Sequence, residues 1–167
     1  MKALRVVLGA LCVSIVLAGT ASAYTYVAGT DYWQASTDWT PASNPDDDHY
    51  GTANVWRYQY NTNDADFNPA NHINLPNWTG SLWNKASSGT GYYCMVHSSG
   101  GHPESAQDSI RSWESPVYGQ VRITGTLANT NPNCGDGIRG YIHQNSTQVW
   151  TGDAIKTTTA TPPRHTT

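Results

Sequence analysis

After residue 23, no stretch of this chain carries apolar residues at helical spacing for long enough to build an amphipathic helix. It carries short alternating segments broken by turn residues instead. Val55-Trp56-Arg57-Tyr58-Gln59-Tyr60 sets rings against polar side chains with the period of a half-buried strand. Trp78, Leu82 and Trp83 anchor a short segment, and residues 92–97 and Ser109-Ile110-Arg111-Ser112-Trp113 after it predict further strands. Residues 117–127 read as the clearest strand, with Val121, Ile123 and Gly125 on one side and Arg122 and Thr124 on the other. Residues 138–143 and 148–155, joined through Asn145-Ser146-Thr147, predict a hairpin. The intervening stretches 31–54, 61–76, 87–91 and 129–137 are rich in Asn, Asp, Ser, Thr, Gly and Pro, and predict irregular structure. The expected class is all-β, an antiparallel β-sandwich of jelly-roll type.

The ring inventory agrees with that class. There are 7 Trp and 10 Tyr against 1 Phe, so almost every ring has a polar handle suited to half-buried sheets and wet binding faces. Charged residues are only 13% of the chain and the net charge is −3, which leaves no basic footprint for nucleic acid.

The first 23 residues read as a leader rather than as part of the fold. Lys2 and Arg5 precede an apolar run over 6–18, and Ala21-Ser22-Ala23 supplies the small residues of a cleavage site. Removal of Lys2 and Arg5 takes the 9 basic residues to seven against 12 acidic ones, a net charge of about −5 for the exported chain. No later segment approaches the length of a membrane span. The expected organisation is a signal peptide over 1–23, a β-sandwich module over 24–156, and a disordered Thr/Pro-rich tail over 157–167, with export to the periplasm or the extracellular space. Cys12 lies in the leader. Cys94 and Cys134 are therefore expected to form one disulfide in an oxidising compartment, the alternative being two independent thiols.

From Gly101 onward the order of short motifs becomes informative. Gly101-His102-Pro103, Gln107-Asp108-Ser109-Ile110-Arg111-Ser112-Trp113, Ser115-Pro116, Gly119-Gln120-Val121-Arg122-Ile123-Thr124-Gly125, Gly135-Asp136-Gly137-Ile138 and Gln148-Val149-Trp150 resemble a jelly-roll accessory module of secreted bacterial proteins, similar to carbohydrate-binding modules. Val55-Trp56-Arg57-Tyr58 resembles the aromatic strand with which such modules open. The resemblance spans about residues 31–156 in scattered pieces. It implies a β-sandwich, a non-catalytic role and, in many such modules, a structural calcium. It also implies closing strands after Ile155, where the Thr-rich tail stands instead.

Three kinds of site follow. Asp46-Asp47-Asp48, Asp64-Ala65-Asp66 and Gly135-Asp136-Gly137 offer oxygen ligands for calcium, against the plainer reading of solvated acidic turns. His97 and His102 could share a metal, against the plainer reading of two hydrogen-bonded loop histidines, and Glu104 and Glu114 are the only glutamates available for paired-carboxylate hydrolysis. Neither a nucleophile elbow nor a phosphate loop is present. The third kind is aromatic: Trp56, Trp113 and Trp150 sit on strands and are expected in the core, whereas Trp33, Trp39, Trp78 and Trp83 lie in polar segments and are expected to be exposed. Trp78 and Trp83, with Asn77 and Asn84 beside them, are the expected contacts for a polysaccharide or cell-surface glycan. The expected function is a secreted, non-catalytic glycan-binding module. The alternatives are a structural or adhesive surface protein and a small secreted glycan-degrading enzyme.

Overall fold

The computed structural model describes residues 5–7, 26–27, 30–39, 43–89, 91–131, 137–154, 159–160 and 165–166, with side chains described between residues 26 and 152. The cleavage site, Cys134 and Asp136 lie outside the described residues.

The fold is all-β with antiparallel pairing throughout the described strands. One four-stranded sheet runs β1 (Arg5–Val7), β8 (Ser109–Glu114), β2 (Trp56–Tyr60), β3 (Ile73–Asn74). A second runs β4 (Asn77–Trp78), β5 (Leu82–Asn84), β6 (Met95–His97), β7 (Gly100–His102). Two short pairs follow: β9 (Arg122–Ile123) with β14 (His165–Thr166), and β10 (Leu127–Ala128) with β13 (Thr159–Ala160). The predicted hairpin is present as β11 (Ile138–Gln144) and β12 (Thr147–Ala154), with Asn145 at φ 58° in the tight turn. Asn tolerates that left-handed conformation better than most residues, which is why this turn was legible.

Cross-strand register builds the core. Trp56 lies opposite Trp113, Tyr58 opposite Arg111 and Tyr60 opposite Ser109, so these side chains share one face of the first sheet. Trp78, Trp83, Val96 and Gly101 are in register on one face of the second. The two faces meet. Gly101 marks the closest approach: a Cβ there would sit 2.5 Å from Ser109 Oγ and 2.9 Å from the Met95 carbonyl oxygen, so only glycine fits without displacement. Val55, Trp56, Tyr58, Leu75, Val96, Ile110, Trp113 and Ile142 are buried in the resulting cluster, as expected for Trp56 and Trp113, and Trp150 packs against it half-buried.

Two expectations need correction. The strand predicted over 117–127 shrinks to the two-residue β9 and β10, because Val121 and Ile123 are only half-buried and Arg122–Ile123 finds a partner only in β14. Alternation specifies a face, but a strand also needs an adjacent edge to bond. The disulfide expected between Cys94 and Cys134 is not shown, Cys134 lying outside the described residues. Cys94 is a free, fully buried thiol whose Sγ donates to the Asp108 carbonyl at 3.7 Å. Burial, with Glu104 and Asp108 adding to it and Lys85 opposing, pushes that thiol up to about 12.

Candidate functional site

The described residues of 31–54 form no strand of their own, yet they are stitched onto the part of the β2 edge that the short β3 leaves uncovered. Asn44 acts as a substitute strand residue: its Nδ2 donates to the carbonyls of Tyr58 at 2.7 Å and Leu75 at 3.0 Å, and its Oδ1 accepts from the Tyr58 amide at 3.0 Å. Asp46 and Trp56 then exchange both backbone hydrogen bonds, at 2.8 and 2.9 Å. This edge pairing carries three aspartates into the interior, where Asp38 and Asp46 are 1% exposed and Asp48 is 5% exposed.

A buried carboxylate is tolerated when donors surround it, and here each holds a ring. Asp38 Oδ2 accepts from Trp56 Nε1 at 2.9 Å, and its Oδ1 bonds His49 Nδ1. Asp46 Oδ2 accepts from the Tyr58 hydroxyl at 2.7 Å. Asp48 Oδ2 accepts from Trp33 Nε1 at 2.8 Å, while its Oδ1 takes the amides of Tyr50 at 3.0 Å and Thr52 at 2.7 Å. Burial and the neighbouring Asp46 carboxylate raise the Tyr58 phenol well above its ordinary value, so it stays a donor. Within the Asp46-Asp47-Asp48 run, Asp47 is exposed, whereas Asp46 and Asp48 are buried with their carboxylates already bonded. Protein N–H and O–H groups point at the oxygens that a calcium ion would need.

Above these carboxylates a group of rings reaches the surface. Tyr32 is 56% exposed, and its ring centroid lies 5.3 Å from that of His49, tilted by 32°. His49 in turn lies 3.9 Å from Tyr50. The Tyr32 amide donates to the Tyr50 hydroxyl at 3.2 Å. Trp33 and Tyr26 close the group from beneath, with Trp33 in contact with Tyr50 and Trp113. The exposed aromatic surface is therefore fixed by two buried acids, Asp38 and Asp48.

The four tryptophans expected at the surface are elsewhere. Trp33 is half-buried on Asp48, Trp39 packs on Tyr58 at 4.5 Å, Trp78 packs on Trp39 and Trp83, and Trp83 is 9% exposed. Asn77 and Asn84 lie opposite each other on β4 and β5, Asn77 donating to the Lys85 carbonyl at 3.0 Å and Asn84 fully buried. Their polar sequence neighbours are loop residues, whereas the indoles themselves turn into the inter-sheet core. Trp78 is half-buried, and the Asn84 amide is enclosed with neither of its polar atoms bonded, so neither side chain is presented to solvent as an open face.

Arg111 closes that core. Its guanidinium lies over the rings of Trp39 and Tyr58, at 5.7 and 6.0 Å, and donates to the carbonyls of His97 and Ser98. Burial brings it down to about 10, with Tyr58 opposing. His97 ends β6 and His102 ends β7, so neither is a loop residue, and each is engaged locally, by Ser99 Oγ and the Pro103 carbonyl. Glu104 accepts from the Gly91 amide at 2.7 Å and Glu114 pairs with Arg57 at 2.6 Å, so both glutamates serve the scaffold. Among the described residues no group of three or more His, Cys, Asp or Glu side chains is placed to hold a metal, and no helix is long and apolar enough to cross a membrane.

No family model matches the chain, and no match appears among the curated proteins or the solved structures.

Proposed function

We propose that this protein is a secreted, non-catalytic module that binds a glycan through the Tyr32, His49 and Tyr50 rings. The exposed face of Tyr32, packed on the His49 ring that buried Asp38 holds in place, is the observation that carries this reading. A sugar presents a face of C–H groups to such a ring and a rim of hydroxyls to polar atoms around it. Because the rings are held by the protein beforehand, less ordering is needed on binding. A shallow platform still binds weakly, with dissociation constants of about micromolar to millimolar, or about −8 to −4 kcal/mol. The resemblance to jelly-roll accessory modules supports the same reading, and the leader over 1–23 supports export to the periplasm or the extracellular space.

Pull-down on insoluble polysaccharides tests it. Tyr32→Ala folds normally and loses retention, whereas Trp83→Ala loses stability first, as a core residue does. Retention unchanged in Tyr32→Ala defeats the proposal. Intact-mass measurement of exported protein is expected to begin at Tyr24.

One observation favours a second reading, an adhesive protein assembled through strand edges. β1, which pairs with Ser112–Glu114 of β8, belongs to the leader. Its removal leaves that edge of β8 open to another strand. Concentration-dependent self-association without any sugar binding is the outcome that distinguishes this reading from the first.

A further inference from the structure

The geometry points to an uncharged polysaccharide as the ligand class of the ring platform, with His49 Nε2 bonding a sugar hydroxyl between Tyr32 and Tyr50; this rests on the glycan-binding reading and deepens it. A carboxylate can only accept, so the Asp38 contact fixes Nδ1 as the protonated inner nitrogen of His49. Nε2, on the far side of the ring, has no partner among the described residues, and the side chain is 25% exposed. The ring that carries this remaining hydrogen-bonding atom packs against two tyrosine rings, one of them largely exposed. A hydroxyl suits that atom in either protonation state, because it donates to a neutral imidazole nitrogen and accepts from a protonated one.

Charge selects among glycans. Residues 26–56, which hold every ring of the platform, contain five aspartates and neither lysine nor arginine. The Tyr50 phenol is raised chiefly by burial, against the Tyr32 amide that bonds it, with Asp31 and Asp38 adding smaller contributions. Asp47 and Asp48 immediately precede His49 in sequence, and the first basic residue beyond, Arg57, is occupied by Glu114. A carboxylated or sulfated sugar would approach this acidic segment with no lysine or arginine of the segment to receive it. An uncharged chain of hydroxyls meets no such cost.

Two substitutions separate the nitrogens of His49. His49→Asn retains an amide near the Nδ1 position for Asp38 and removes the outer nitrogen; His49→Gln places an amide near Nε2. Native electrophoresis in gels containing laminarin, galactomannan or xyloglucan, beside gels containing polygalacturonate or alginate, reads the affinities, and thermal melts read the fold. The expected result is retardation of the parent on at least one uncharged gel and on neither anionic gel, a loss of about tenfold in His49→Asn, and affinity within about threefold of the parent in His49→Gln. Tyr32→Ala, at an exposed position, loses at least as much as His49→Asn. Equal or stronger retardation on the anionic gels, or parental affinity in His49→Asn, overturns this inference while leaving glycan binding intact. No retardation on any gel overturns both.

Discussion

Two regions of the molecule bury polar rings in opposite ways. In the lead-in segment, the buried carboxylates of Asp38, Asp46 and Asp48 each receive an N–H or O–H from a ring, and those rings are thereby locked. Where the loop before β3 meets the β11–β12 hairpin, Phe67 stacks on His143 at 4.4 Å and packs on Tyr141 at 5.0 Å, with His72 nearby. His143 is 2% exposed there, and neither nitrogen of either imidazole makes a hydrogen bond of ordinary geometry. The first region is held by satisfied polar contacts and the second mainly by packing. Burial drives the His72 pKa down to about 4, against a smaller opposing pull from Asp66, and lowers His143 against a similar pull from the Ser146 backbone. A satisfied polar network rigidifies, whereas an unsatisfied one stores a liability.

The largest test of this contrast is Asp38→Ala. It orphans Trp56 Nε1 in the core and releases His49, and is expected to cost about 3 to 5 kcal/mol by denaturant titration, since hydrogen bonds to charged groups are each worth about 1.5 to 3 kcal/mol. A cost under about 1 kcal/mol would mean that the lead-in segment is not held by its acids.

Acid comes next. The fold holds both imidazoles neutral, with folded-state values below the ordinary 6.5. Stability is therefore full above about pH 6.5 and falls as the pH drops toward about 4, where the His72 contribution of about 2 to 3 kcal/mol is lost. Asp108, raised by burial, works in the opposite direction, so the readout is the part of the pH slope that disappears in His72→Leu. An identical slope in that variant would dissolve the contrast.

A matched pair sharpens it further. Tyr58→Phe removes the hydroxyl that Asp46 accepts and is expected to lower stability by about 1 to 2 kcal/mol. His143→Phe also replaces a polar ring by an apolar one, but at a position with nothing bonded to lose, so its melting temperature is expected to equal or exceed the parent's. The smallest expected effect is none at all: Cys94 in the folded protein does not react with iodoacetamide at pH 8, and reacts on unfolding.

Much of the fold was legible because it depends on local pattern. Rings alternating over 56–60 fix a strand and its buried face, and Asn145 fixes the hairpin turn, since both consequences follow from backbone geometry within a few residues. Trp56 and Trp113 could be assigned to the core for the same reason. The pattern failed at 117–127, where alternation was present and a bonding edge was short.

The candidate site was far less legible. Composition and alternation by themselves determined an all-β chain whose rings carry polar handles. Only the tertiary structure decided which rings are buried and which face solvent. Trp78 and Trp83 look exposed by their neighbours, but inter-sheet packing turns them inward; Asp38 and Asp48 look solvated, but two indoles and an imidazole close over them. The presence of Asp38 and His49 in one segment was visible, and their bond was not. The physical reason is that burial of a ring or an acid is settled by partners far away in the chain, such as Asp38 with Trp56 and Trp33 with Trp113, and such pairing leaves no local periodicity to read.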